Sequence, residues 1–205
     1  MAIYLRSDLN TGRVRRSALR SLVCRALGDR RAATAIEFAL IAPVLFMMML
    51  GTVELGLCFT ADILLRNATS SAARLGRTGY VAASTTRDAM VLAQITQEAG
   101  ALLTPSKLTV TSKAYGGFDD IVKPEPFTDA NGNGKRDDGE SYTDVNGNGK
   151  YDLDRGKDGL GGTSQIVIYT VTYPWSFFTP LVGRMISSTG TILLTATAVI
   201  QNEPY

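Results

Sequence analysis

Oxygen-bearing side chains at alternating positions are the plainest chemistry in this sequence. In the stretch TDANGNGKRDDGE, Asp129, Asn131, Asn133, Asp137 and Glu140 take positions 1, 3, 5, 9 and 12 of a loop. Gly134 falls at position 6, and Lys135 offers its carbonyl at position 7. Carboxylate, amide and carbonyl oxygens in this order curl a backbone around one hard cation, and the glycine permits the sharp turn. The spacing is that of an EF-hand loop, and the expected ligand is calcium.

The pattern is duplicated. EPFTDANGNGKRDDG is followed directly by ESYTDVNGNGKYDLD, a tandem repeat of fifteen residues with nine identical positions. A duplication of fixed period in a polar loop indicates a selected local structure. The second copy supplies Asp144, Asn146, Asn148, the Lys150 carbonyl and Asp152, but Arg155 stands at its position 12. Asp154 beside it would close the loop only with a shifted backbone, so one good and one weaker site are expected. The competing reading is a polar hairpin tip, since Asn-Gly pairs are strong turn formers. No flanking helices are predicted, so a structural clamp is expected rather than a sensor.

Other chemistry is sparse. The chain has no histidine, which removes imidazole acid–base work, Ser-His-Asp and Cys-His catalysis and nearly every catalytic zinc arrangement. No nucleophile accompanies Asp119, Asp120 or the loop carboxylates, so the protein is expected not to be an enzyme. The two cysteines, Cys24 and Cys58, fall on segments that should not meet, and no disulfide framework is predicted.

The element that must carry these loops begins upstream. Residues 38–61 form a nearly unbroken apolar run whose one charge is Glu54. A bilayer core of about 30 Å needs roughly 20 apolar residues as helix, so the run is long enough to span. Residues 1–32 precede it as a basic leader with eight arginines against Asp8 and Asp29. Such a flank stays cytoplasmic and places the remainder of the chain outside. Leu19, Leu22, Val23, Ala26 and Leu27 suggest a short amphipathic surface helix within the leader. Nucleic-acid binding is the lesser reading of the arginines, because no DNA-reading pattern accompanies them, and no nucleic-acid partner is expected. The domain plan is leader 1–32, transmembrane helix 33–62 and exported domain 63–205, with 116–162 as the Asp/Asn/Gly-rich insertion.

Two carboxylates lie in the apolar segment. Glu37 is read at the first turn of the helix, where exposed N–H groups and the positive dipole end favour it. A partner amino group would offset its cost in hydrocarbon; the alternative is a capping glutamate at headgroup level near Arg30 and Arg31. Glu54 is read either as a carboxylate protonated or solvated near the exported interface or as an intersubunit contact. Pro43 should kink the helix.

The exported part reads as α+β. The helix continues along Leu64, Ala68, Ser71, Ala72 and Leu75 to a stop at 76–79, and is expected to pack on the domain's own sheet. A second helix, capped by Thr85 or Thr86, shows an apolar side of Met90, Leu92, Ala93, Ile95 and Ala99. Strands are predicted at 107–115, at 164–174 ending on Pro174, and at 191–202. Between the last two, WSFFTPLVGRMIS is a short helix or turn, with Trp175, Phe177 and Phe178 anchoring it to the core or to the membrane surface.

RRAATAIEFALIAPVLFMMMLGTVELGLCF followed by NATSSAARLGR resembles the N-terminus of TadE-like pseudopilins, minor components of tight-adherence (Flp-type) pilus systems. VTYPWSFFTPLVGRMI and AVIQNEPY resemble the C-terminal part of the same family. The resemblance implies cutting by a prepilin peptidase between Ala32 and Ala33, which leaves Glu37 as the fifth residue of the mature chain. The family usually has glycine before the cut; Ala32 is also small. It further implies a pilin-like α+β domain on a long transmembrane helix, in a single-pass protein of the bacterial inner membrane. Expected partners are the peptidase, other pilins or pseudopilins, pilus-assembly membrane proteins and the lipid bilayer. The alternative is a signal-anchored surface module that uses its calcium loop for binding or adhesion outside any pilus.

Overall fold

The computed structural model describes residues 30–81 and 84–204. The leader's surface helix and Cys24 lie outside the described residues. The chain divides into two compact units, Met1–Val53 and Glu54–Tyr205. One helix, α1 (Arg30–Arg77), runs through the division and contains Pro43.

In the first unit, residues 33–53 are exposed apart from Ala42 and the half-buried Gly51. The exposed set includes Phe38, Leu40, Ile41, Val44, Leu45, Phe46 and the three methionines 47–49. A helix that is apolar all round is built for burial in another medium. Thr52 meets that condition too, since its hydroxyl donates to the Met48 carbonyl at 2.8 Å. Among the described residues, α1 is the one helix long and apolar enough to cross a membrane.

The second unit is a small α+β domain. Besides the C-terminal part of α1 it holds α2 (Arg87–Ala99), β1 (Thr109–Tyr115), β2 (Lys157–Asp158), β3 (Ile166–Ser176), α3 (Pro180–Ile186) and β4 (Thr191–Gln201). The strands form one antiparallel sheet in the order β2-β1-β3-β4. β3 is central because its β-branched run pairs with β1 from Ile166 to Thr172 and with β4 along its whole length. Pro174 does not stop it. β1 has ended opposite Thr172, so past that point a proline costs no ladder bond on the vacant side.

The period-two face of β3, namely Val167, Tyr169, Val171, Tyr173 and Trp175, meets a stripe of α1 made of Cys58, Ala61, Leu65, Ala68 and Ala72. The alanines let the helix approach the sheet closely. At Gly76 even a methyl group would collide with the Tyr169 hydroxyl. The expected packing of α1 on its own sheet is thus observed, but along a stripe rotated from the predicted one: Leu64, Ser71 and Leu75 are only half-buried. α2 is capped by Thr86, whose side chain accepts from the Ala89 N–H at 3.2 Å. It buries Val91, Ile95 and Ala99 and leaves Leu92 and Ala93 outside. α1 and β3 run in opposite senses. The α1 end at Arg77, whose carbonyl accepts from the Glu203 N–H, lies by the start of β3 and the end of β4. Glu54 lies by the other end of the sheet, next to Thr179.

Candidate cation loops and carboxylates of the helix

The insertion between β1 and β2 folds as two matched loops. In the first, Asp129 Oδ1 accepts from the N–H groups of Gly132 (2.7 Å) and Asn133 (3.2 Å), and Oδ2 from Gly134 (2.8 Å). The second repeats this from Asp144 to Gly147, Asn148 and Gly149 at the same three distances. Asn131 and Asn133 accept from the N–H groups of Asn133 and Lys135, as Asn146 and Asn148 do from Asn148 and Lys150. Their amide nitrogens converge on Asp137 in one loop and on Asp152 in the other. Gly134 and Gly149, with φ of 76° and 77°, make the turn that other residues resist.

Each loop is closed by a glutamate that spans its positions 2 and 9. Glu140 accepts from the N–H groups of Ala130 and Asp137, both at 2.9 Å. In the second loop this place is not taken by Arg155 or Asp154. Glu125, fully buried, accepts there from Val145 at 2.8 Å and Asp152 at 3.1 Å. Glu125 and Glu140 head the two repeats, so each loop is closed by the head residue of the other repeat. The pairing is held by a bridge between Phe127 and Tyr142 and by the Thr128 N–H to Ser141 and Thr143 N–H to Pro126 bonds. Around it Tyr151 stands edge-on to Phe127 and Tyr142, and the Arg136 guanidinium lies over Tyr142 and Tyr151 at 4.9 and 5.1 Å.

Asp154 has a different task. It takes Lys113 Nζ at 2.7 Å and the Tyr115 hydroxyl at 3.0 Å, tying the insertion to β1. Burial pushes its carboxyl up, but the bonds from Lys113, the Gly156 N–H and Tyr115 outweigh this and hold it below the usual carboxylate range. Burial, reinforced by the bond to Asp154, raises the Tyr115 hydroxyl to about 12. Gly156 passes beneath that ring, where a side-chain carbon would come within 2.6 Å of it. Arg155, which stood at position 12 in the sequence count, pairs with Asp120 at 3.0 Å.

The donor chemistry of the loops, oxygen throughout, suits a hard cation. Among the described residues, no three Asp, Glu, Cys or His side chains converge on one point; two of the five side chains in each set are amides. Hydrogen bonds from Asn146 and Asn148 hold Asp152 below its usual range. A cation would exchange those amide-to-carboxylate bonds, and their counterparts at Asp137, for oxygen coordination. Glu125 is the site residue that sequence counting missed; its one signal was its place at the head of a repeat whose partner head, Glu140, was assigned a ligand role.

On α1 the carboxylates sit otherwise than expected. The helix begins at Arg30, so Glu37 lies about two turns inside it, exposed, and not in its first turn. A cut between Ala32 and Ala33 would leave it as the fifth residue, at the start of the second turn. Glu54 is buried, and its Oε1 accepts the Thr179 N–H at 2.6 Å. That bond is within the subunit, a partner that the sequence did not suggest. Its Oε2 is buried without a hydrogen-bond partner, as is Trp175 Nε1.

No curated protein and no solved structure matches this chain. A family model described as TadE-like protein matches residues 32–74, which run from Ala32 through Glu37 and Glu54 into the stripe that packs on the sheet. The C-terminal segments that resemble the family lie outside the matched residues. With its one N-terminal apolar helix and a segment similar to TadE-like proteins, the chain fits a single-pass membrane protein associated with a Tad pilus.

Proposed function

We propose that this protein is a pseudopilin, or minor pilin, that takes part in assembling a tight-adherence pilus. One observation carries the reading: the match to TadE-like proteins over residues 32–74 coincides with the exposed apolar helix that bears Glu37. A prepilin peptidase cuts between Ala32 and Ala33. The new α-amino group and Glu37 then lie in the first turns of a shortened helix, where carboxylate and amine partner one another within or between subunits and the helix end favours the carboxylate. The arginine-rich leader keeps the N-terminus cytoplasmic, and the α+β domain stands outside the inner membrane. No catalytic activity is assigned to it.

The repeat loops add a structural calcium clamp to this reading. The first would bind through Asp129, Asn131, Asn133, the Lys135 carbonyl, Asp137 and Glu140. The second would use Asp144, Asn146, Asn148, the Lys150 carbonyl, Asp152 and, in the place sequence gave to Asp154, Glu125. Their shared hydrogen-bond frame supports equivalent use of both.

The test is N-terminal analysis of the protein from cells with an active prepilin peptidase. The expected chain begins at Ala33, and peptidase deletion restores the full leader. An intact leader in peptidase-positive cells overturns the pilin reading and leaves the signal-anchored surface module. Glu37→Ala is expected to change processing or incorporation into the pilus.

A further inference from the structure

We propose that α3 with Phe178 is a second membrane contact, a wedge seated in the headgroup region of the bilayer that α1 crosses. This rests on reading the apolar part of α1 as the span.

Residues 33–53 are exposed but for Ala42 and the half-buried Gly51 and carry one charge, Glu37, and about 21 helical residues cover roughly 31 Å, close to the thickness of a hydrocarbon core. The next residue, Glu54, is buried in the folded domain and holds the Thr179 N–H at 2.6 Å. Thr179 immediately precedes α3. The start of α3 is therefore pinned to the level on α1 where the bilayer ends. A span begun at Phe38, past Glu37, would put Glu54 and α3 deeper, so the inference does not depend on one choice of boundary.

The surface at that level has the composition the depth requires. α3 turns Val182 and Gly183 inward and leaves Leu181 (52%), Met185 (72%) and Ile186 (45%) exposed, beside Phe178 at 71%. A short helix on an aqueous surface would carry polar residues there. Arg184 is its single charge, and a cation beside an apolar face suits phosphate headgroups. The aromatic cluster expected to anchor this segment is divided: Trp175 fills the core, Phe177 packs against it, and Phe178 points outward. The other end of the sheet carries the Arg77–Glu203 ion pair and adjoins the polar loops, and its exposed apolar side chains, Tyr80, Phe118 and Val122, lie in connecting segments and not on an α-helix. Lipid is the occupant because the tether to α1, and no feature of a protein interface, sets the position of this surface.

The experiment reconstitutes the full chain in vesicles of phosphatidylethanolamine and phosphatidylglycerol. Spin labels are placed by Met185→Cys, Leu45→Cys or Leu153→Cys in a Cys24→Ser, Cys58→Ala background, and accessibility to oxygen and to a water-soluble nickel chelate is measured. The expected result is deep burial at 45, a shallow position at 185, about 5–10 Å into the boundary, and full chelate access at 153. Relative to the label at 153, chelate access at 185 should be lower several-fold. Chelate access at 185 equal to that at 153, with 45 deep, overturns the wedge and leaves the span intact. Chelate access at 45 overturns the span and the wedge with it. Shielding of 185 from both reagents shows a protein cover, a second copy included, and overturns the wedge. A second measurement needs no substitution: the native chain is irradiated in vesicles that contain a lipid photoreactive near its headgroup. Adducts within residues 178–186 support the wedge, and their absence overturns it.

Discussion

Glu125 and Glu140 stand fifteen residues apart at the heads of the two repeats, and each closes the loop that belongs to the other. Neither loop is therefore a unit by itself. The duplicated segment acts as a reciprocal pair, with Phe127, Tyr142 and Tyr151 packed between its halves.

Reciprocal closure predicts two calcium sites of comparable affinity, in place of the one good and one weak site expected from spacing. Calorimetric titration of the full chain should show both. Glu125→Gln should weaken the second site by about 10–100-fold, the scale seen when a group that fixes or joins a metal shell is altered. Heat at neither loop with millimolar calcium would leave the duplication as a hydrogen-bonded hairpin pair.

The Asp154–Tyr115 contact predicts pH dependence at both ends of the scale. Asp154 has a depressed folded-state pKa, so its contribution is present above the unfolded value near 3.9 and fades as pH falls through the lower folded one. Tyr115 is raised from 10.0 to about 12. Its contribution is complete below 10, and stability declines as pH rises from there to about 12, because only the unfolded chain releases the proton. In ultraviolet titration of tyrosinate, Asp154→Asn should move the Tyr115 signal earlier, and the same variant should flatten the acid limb of stability. An unchanged titration curve in that variant would refute the contact.

Gly76→Ala should destabilise the domain by about 1–3 kcal/mol, the cost of overpacking a closed interface. The added methyl meets the Tyr169 hydroxyl, so α1 must lift from β3. Gly51→Ala is the matched control, since open space surrounds that position. Urea unfolding of both variants in detergent compares them directly.

Glu54→Ala should free the start of α3. Removing the acceptor of this part-buried N–H should cost no more than about 1–3 kcal/mol, the figure for a fully buried one, and the Thr179 amide should exchange faster with solvent hydrogen. Glu54→Gln keeps a carbonyl acceptor in place and should preserve most of the protection. Equal protection in all three proteins would show that the bond at 2.6 Å does not hold α3.

Sequence by itself determined what local pattern can encode. The apolar length of α1, the fifteen-residue duplication with its alternating oxygens, a cap at Thr85 or Thr86 and the strands around β1, β3 and β4 are all periodic or capped signals read within a few residues. Tertiary structure decided what depends on distant partners. The α1 stripe turned from its predicted line because a stripe of small residues fits β3 more closely than Leu64 and Leu75 would. Pro174 continued a strand because β1 had already ended. Glu54 found Thr179 across 125 positions of sequence, and Glu125 reached Val145 and Asp152 across 20 and 27. Spacing counts atoms along a chain, whereas a buried carboxylate goes to whichever N–H groups folding leaves beside it.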